Sequence, residues 1–167
     1  SRALQSNLLQ GVGLAGVNSI NWARVLAQVV YYFTAAVSLG APFRPVSFTV
    51  PTGNFGDIFA GHVARQMGLP IDRLVIATNQ NDILHRTLQT GEHRKAQTRP
   101  SIAPSMDIQV SSNFERLVFD LVGREGPAVS ALFDELKSTG GFVLPQGALS
   151  RLREEFTSAA ISEETTS

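Results

Sequence analysis

Apolar positions recur along this chain with two different periods. Ser1 to Gly13 shows no clear period, and Leu14 to Val17 reads as a short strand. Asn18 and Ser19 are residue types that cap helices. The helix predicted after them, Ile20 to about Leu39, spaces Trp22, Leu26, Val29, Val30, Phe33 and Val37 along one face. Its only charge is Arg24, which predicts cover on most sides. Gly40 and Pro42 end it. Val46 to Val50 alternates as a strand, and the turn Pro51-Thr52-Gly53-Asn54-Phe55-Gly56-Asp57 follows. A helix from Ile58 to Met67 comes next, with Ala60, Val63, Ala64 and Met67 as its inner stripe. Gly68 and Pro70 stop it. Leu74 to Ala77 is a continuous apolar run, as expected of a buried parallel strand. The three elements form a βαβ unit with an expected right-handed crossover.

Asn79 to Asp82 caps a short helix with Ile83, Leu84 and Leu88 inside and Gly91 at its end. Glu92 to Ser105 reads as an exposed polar loop, and Asp107 to Val110 as another strand. Ser112-Asn113-Phe114-Glu115 fits a capping box, opening a helix with Phe114, Leu117, Val118 and Leu121 on one face and Gly123 at its close. Pro127 starts a further helix that carries Val129, Leu132, Phe133 and Leu136 as far as Gly140-Gly141. A last helix runs from Gln146 to Phe156, and the tail 157–167 is expected to fray. The fold class expected is α/β, three-layered, with a mostly parallel sheet and βαβ units. Residues 1–167 are expected to form a single domain.

Composition narrows the chemistry. The 167 residues are 43% hydrophobic, enough for one core. Formal net charge is zero, which speaks against nucleic acid as a partner. Tyr31, Tyr32 and Phe33 have no interleaved basic residues, so they form no nucleic-acid platform. They read as core or as an interdomain contact. Val25 to Phe43 carries no charge and is nearly long enough to span, but its polar residues and Pro42 favour a buried helix over a membrane span. The absence of cysteine excludes disulfides and thiolate chemistry and fits a reducing compartment, with the cytoplasm as the expected location. His62, His85 and His93 lack metal-ligand spacing, and no metal site is expected.

The informative feature is the turn. Gly53 and Gly56 lie between a strand and the first turn of a helix. A helix start leaves N–H groups unpaired and carries partial positive charge. Glycine lets the backbone turn tightly and approach a ligand. Together these make an anion cradle, most often for phosphate. There is no Gly-Lys-Ser/Thr and no G-x-G-x-x-G, which excludes a nucleotide P-loop and a dinucleotide fingerprint. The pattern alone is equally compatible with a tight βα connection whose glycines serve only geometry.

Val50-Pro51-Thr52-Gly53-Asn54-Phe55-Gly56-Asp57-Ile58 resembles the phosphate loop of threonine synthase, a family of fold-type II enzymes dependent on pyridoxal 5'-phosphate (PLP). Gly16 to Arg24, Met67 to Pro70, Ala77 to Leu84 and Pro104 to Arg116 agree with it in register. The resemblance implies conversion of O-phosphohomoserine and water to threonine and phosphate, with PLP as cofactor. It also implies that Gly53, Asn54, Phe55, Gly56 and Asp57 meet the cofactor phosphate, chiefly through backbone N–H groups. Asp57 would cap or fix the loop. The family's Schiff-base lysine has no counterpart, because Lys95 and Lys137 are the chain's only lysines and neither stands in such a motif. The chain therefore reads as a fragment of a larger two-domain enzyme, catalytically silent alone and binding PLP weakly if at all. Another fold-type II enzyme and a non-catalytic phosphate-binding domain are the alternatives. Asn18, Ser19 and Asn21 serve as caps or line the pocket. Arg116 reaches a substrate phosphate or pairs with a surface acid. Apolar surface left uncovered in such a fragment is expected to drive self-association.

Overall fold

The computed structural model describes residues 19–161. The strand expected at Leu14 to Val17, the cap at Asn18 and the start of the Gly16 to Arg24 match lie outside them.

Helix α1 (Trp22–Ser38) starts later than its periodicity suggests. Its cap is Asn21, whose side chain accepts from the Ala23 N–H at 2.9 Å, and not Ser19. Its buried stripe is Val25, Val29, Tyr32 and Ala36. Trp22, Leu26, Val30 and Val37 from the expected stripe are instead exposed. Two adjacent stripes of this helix are apolar, and periodicity has no means of choosing between them. What selects the inner one is α2 (Gly56–Gln66). Gly61 sits at the crossing, where a Cβ would lie 2.7 Å from the Tyr32 ring and 2.9 Å from Leu74. Only glycine lets α1, α2 and the sheet meet there. Within α2, Ile58, Phe59 and His62 are buried, whereas Met67 is exposed.

Strand β1 (Val46–Pro51) pairs in parallel with β2 (Ile71–Thr78), with Phe48 opposite Leu74. The βαβ unit and parallel sheet expected from the sequence are present. Helix α3 (Ile83–Thr90) ends at left-handed Gly91. A strand, β3 (Glu92–Arg94), which includes the buried His93, opens the stretch where a loop was expected, and its antiparallel partner β4 (Gly141–Val143) follows the later Gly140-Gly141 stop. A three-residue strand rich in polar groups has too few alternations to register as one. Asp107 to Val110 is irregular rather than a strand, because Asp107 spends its carboxylate on Asn79, Asn81 and Ser101. Helix α4 (Phe114–Leu121) buries the face expected of it, but no capping box forms: Asn113 is the cap residue and makes no side-chain cap bond. Helices α5 (Gly126–Thr139) and α6 (Gln146–Glu155) follow closely the ranges expected.

The largest correction is at the C-terminal end. Phe156–Ala160 is a strand, β5, and not a fraying tail. It lies in parallel beside β2, with Phe156 opposite Leu74 and Ala160 opposite Thr78, so the sheet order is β1-β2-β5. Thr157, Ser158 and Ala159 carry no hydrophobic signal; pairing with β2 makes them a strand. Phe156 is fully buried at the joint, its ring beside those of Phe55 and His62. Ser47, Thr49 and Thr157 are exposed on the opposite face of the sheet. No helix among the described residues is long and apolar enough to cross a membrane.

His62 ties three helices together. It is buried, with Nδ1 2.7 Å from Glu155 Oε1 at the end of α6 and Nε2 3.3 Å from Asp120 Oδ2 on α4. Burial opposes a charge on its ring, but the two carboxylates outweigh burial and raise its pKa above the usual 6.5. The folded state therefore holds this proton more tightly than the unfolded chain. That stabilisation is fully present below about pH 6.5 and is lost as pH rises through the folded-state value. His93 shifts the other way, to about 4, through burial and the nearby charges of Arg86 and Lys95, so it stays neutral in both states above neutrality. As pH rises above about 6.5 the urea midpoint is expected to fall, and His62→Gln to flatten that slope. A midpoint that rises over this range would refute the assignment.

Candidate functional site

Strand β1 ends at Pro51 and α2 begins at Gly56, so four residues must redirect the chain. Thr52 is anchored first. Its N–H donates to the Ala77 carbonyl at 2.8 Å and its buried hydroxyl to the Val50 carbonyl at 2.6 Å. The pivot is Phe55, at φ 64 and ψ 4, a left-handed conformation that costs a bulky residue about 1–3 kcal/mol. Its ring is held edge-on to Phe114 at 5.4 Å and beside Phe156 at 5.9 Å. Neither Gly53 nor Gly56 has a positive φ, so the glycines are not the pivots. They provide clearance: a Cβ on Gly53 would lie 2.6 Å from the Ser105 carbonyl oxygen, and one on Gly56 would lie 3.2 Å from Asn113 Nδ2.

The hydrogen bonds of the turn divide cleanly. The Gly53 carbonyl accepts from the Ser111 hydroxyl at 2.6 Å. The Asn54 carbonyl accepts from the Asn113 backbone N–H at 3.1 Å and from Asn113 Nδ2 at 3.0 Å. The Phe55 carbonyl accepts from the Phe59 N–H at 3.0 Å. In contrast, the N–H groups of Gly53, Asn54, Phe55, Gly56 and Asp57 donate to no acceptor among the described residues. A run of unpaired donors at the positive end of a helix favours an anion.

These residues line a cavity of about 280 Å³, closed by Ser19, Arg24 and Gln28 on one side and by Ser105 and Met106 on the other. Arg24 is the cation in that lining and forms no ion pair among the described residues. Asp57 is the opposing charge. Burial raises its pKa, and the nearby Tyr32 hydroxyl only partly offsets this. Tyr32 is pushed upward by burial and by Asp57, so it remains a proton donor. Asp57 makes no side-chain cap bond at the start of α2.

The structure brings Gly53, Asn54, Phe55, Gly56 and Asp57 together with Ser19 around one cavity and leaves other candidates outside it. Asn21 caps α1. Arg116 has no acidic partner among the described residues; it donates to the Ile20 carbonyl, and its guanidinium lies over the Trp22 ring at 5.3 Å. His85 meets Ser158, and Asp82 pairs with Arg86. Lys95 is exposed and Lys137 is an exposed partner of Asp134, so no lysine lines the cavity. A larger apolar cleft of about 710 Å³, lined by Trp22, Phe59, Phe119 and Val129, opens elsewhere and shares no residue with the turn. Sequence reasoning missed Ser111, Asn113 and Ser105 as parts of the site. They lie in the matched Pro104 to Arg116 stretch, but nothing local in them signals contact with residue 54.

No family model matches the chain. It is 56% identical over 158 residues to "Threonine synthase" of Pseudomonas aeruginosa, covering 95% of this chain and 34% of that protein. Among solved structures it is similar to PLP-bound threonine synthase from Brucella melitensis, with a TM-score of 0.89 and 56% identity over 96% of this chain and 34% of the other. Threonine synthase from yeast aligns with a TM-score of 0.86 and 38% identity, over 99% and 35% of the respective chains.

The clearance role of Gly53 is open to measurement. Gly53→Ala is expected to destabilise the fold by about 1–3 kcal/mol, since the Ser105 main chain must give way. Gly147→Ala, in helix α6 with open space around its Cβ, is expected to stabilise by about 0.5–1 kcal/mol. Urea denaturation reads both. Equal effects of the two substitutions would remove the argument from clearance.

Proposed function

The chain belongs to the threonine synthase family, spanning about a third of the length of the curated relatives it matches, and on that premise we propose that it is the portion of a threonine synthase that holds the phosphate of PLP. The observation that supports this reading is the row of N–H groups from Gly53 to Asp57 that meet no acceptor among the described residues, while the carbonyls of Gly53, Asn54 and Phe55 are taken up elsewhere. The fit to a phosphate is good: a cavity of about 280 Å³, a Gly53 whose Cβ would meet the Ser105 main chain, and in the wall an Arg24 with no ion pair among the described residues.

On this reading the parent enzyme converts O-phosphohomoserine and water to threonine and phosphate. Bound PLP supplies an electron sink for the charge that develops as the substrate loses phosphate and gains water. The role of this chain is to bind and orient. Gly53, Asn54, Phe55, Gly56 and Asp57 donate their N–H groups to the cofactor phosphate, and Arg24 adds charge. Asp57 contributes through its N–H alone, since a carboxylate would repel the anion. With no lysine in the cavity, the chain alone is proposed to be inactive and to bind the cofactor non-covalently. Residues 1–167 are proposed to form one α/β domain of a larger enzyme, located in the cytoplasm. The exposed Trp22, Leu26, Val30 and Val37 of α1, with Phe43, are proposed to mediate self-association of the isolated chain.

Two measurements address these proposals. Pyridoxine 5'-phosphate, which has no aldehyde to react with surface lysines, is expected to shift the amide resonances of Gly53 to Asp57 in ¹⁵N-resolved NMR, and pyridoxine is not. Unmoved amides at a saturating concentration would overturn the phosphate assignment. Light scattering is expected to give a mass above 18.0 kDa that rises with concentration, and Leu26→Glu with Val30→Glu to restore the monomer. A monomeric unsubstituted chain would end the self-association proposal.

A further inference from the structure

Anion cradles demand that each peptide unit turn its N–H inward, and each such turn sends a carbonyl into the protein. In this chain the carbonyls of Gly53 and Asn54 are met by one short segment about 58 residues away: Ser111 Oγ on Gly53 at 2.6 Å, and the Asn113 N–H and Nδ2 on Asn54 at 3.1 and 3.0 Å. Asn113 is completely buried, and the same Nδ2 donates to the Ser19 carbonyl at 2.8 Å. One amide group thus fixes both the phosphate turn and the chain leading into α1, the helix that carries Arg24 and Gln28 to the cavity. Its Oδ1 is buried and has no hydrogen-bond partner among the described residues. Unlike Phe55, Ser111 and Asn113 do not line the cavity.

We infer that Ser111 and Asn113 are positioning residues for the phosphate cradle: they hold the Gly53–Asn54 and Asn54–Phe55 peptide planes so that the N–H groups of Asn54 and Phe55 turn to the ligand, and Asn113 sets the distance between that turn and Arg24. The inference rests on the phosphate reading above and extends it to residues that do not touch the ligand.

The test uses the 167-residue chain and two titrants, pyridoxine 5'-phosphate and inorganic phosphate, read by calorimetry and by the Gly53 to Asp57 amide resonances. Ser111→Ala is expected to weaken both about tenfold, and Ser111→Thr, which keeps the hydroxyl, to restore most of that loss. Asn113→Asp puts an acceptor where a donor met two carbonyls, and is expected to weaken binding further. Each variant is checked for its urea midpoint; Ser111→Ala keeps the test open should Asn113→Asp fail to fold. If the folded Ser111→Ala chain binds both titrants as tightly as the unsubstituted one, or if Ser111→Thr is as weak as Ser111→Ala, the positioning role is overturned. If the unsubstituted chain binds neither titrant, the phosphate reading itself fails and the inference with it.

Discussion

A peptide group has two faces, and the site in this chain is governed by that fact. Turning the N–H groups of Gly53 to Asp57 toward a cavity turns carbonyls inward, where an unmet acceptor costs about 1–3 kcal/mol. Ser111, Asn113 and the start of α2 meet those carbonyls. Everything else about the site follows from keeping that segment against the turn. Gly56 has no side chain because Asn113 occupies the space beside it, and Gly53 has none because the chain at Ser105 crosses it. The segment from Ser101 to Asp107 is in turn held by the Asp107 carboxylate, which accepts from Asn79 and Asn81 at the end of β2.

Phe55 shows how the cost of this arrangement is met. A phenylalanine in a left-handed conformation is unfavourable in isolation, yet here its ring lies between those of Phe114 and Phe156. Burial of a ring of that size contributes roughly 1.5–3 kcal/mol, comparable with the strain. Phe114 opens α4 immediately after Asn113, and Phe156 opens β5 immediately after Glu155, the partner of His62. The same short stretches therefore support the turn's conformation, satisfy its carbonyls and join the helices beneath it.

Much of this was legible in the order of the residues. The helices, the parallel βαβ pair and the turn follow from apolar period, from stop signals such as Gly68 and Gly91, and from glycines placed between a strand and a helix. These are local properties, set by backbone conformation and by side chains within a few positions of one another. The family resemblance added the ligand class, because a long run of matched residues is far more specific than G-x-x-G.

The tertiary structure decided what local signals leave degenerate. α1 has two apolar stripes, and the crossing with α2 at Gly61 chose between them. Thr157 to Ala160 became a strand because β2 offered a free edge, and His93 became core because Phe114 and Phe142 stack on its ring. Ser112-Asn113-Phe114-Glu115 reads as a capping box, but Asn113 spends its amide on Ser19 and Asn54. In each case the deciding partner lies tens of residues away, where no periodicity reaches. Residue order alone thus located a tight glycine turn between a strand and a helix, and only the folded chain determined that Ser111 and Asn113 meet its carbonyls.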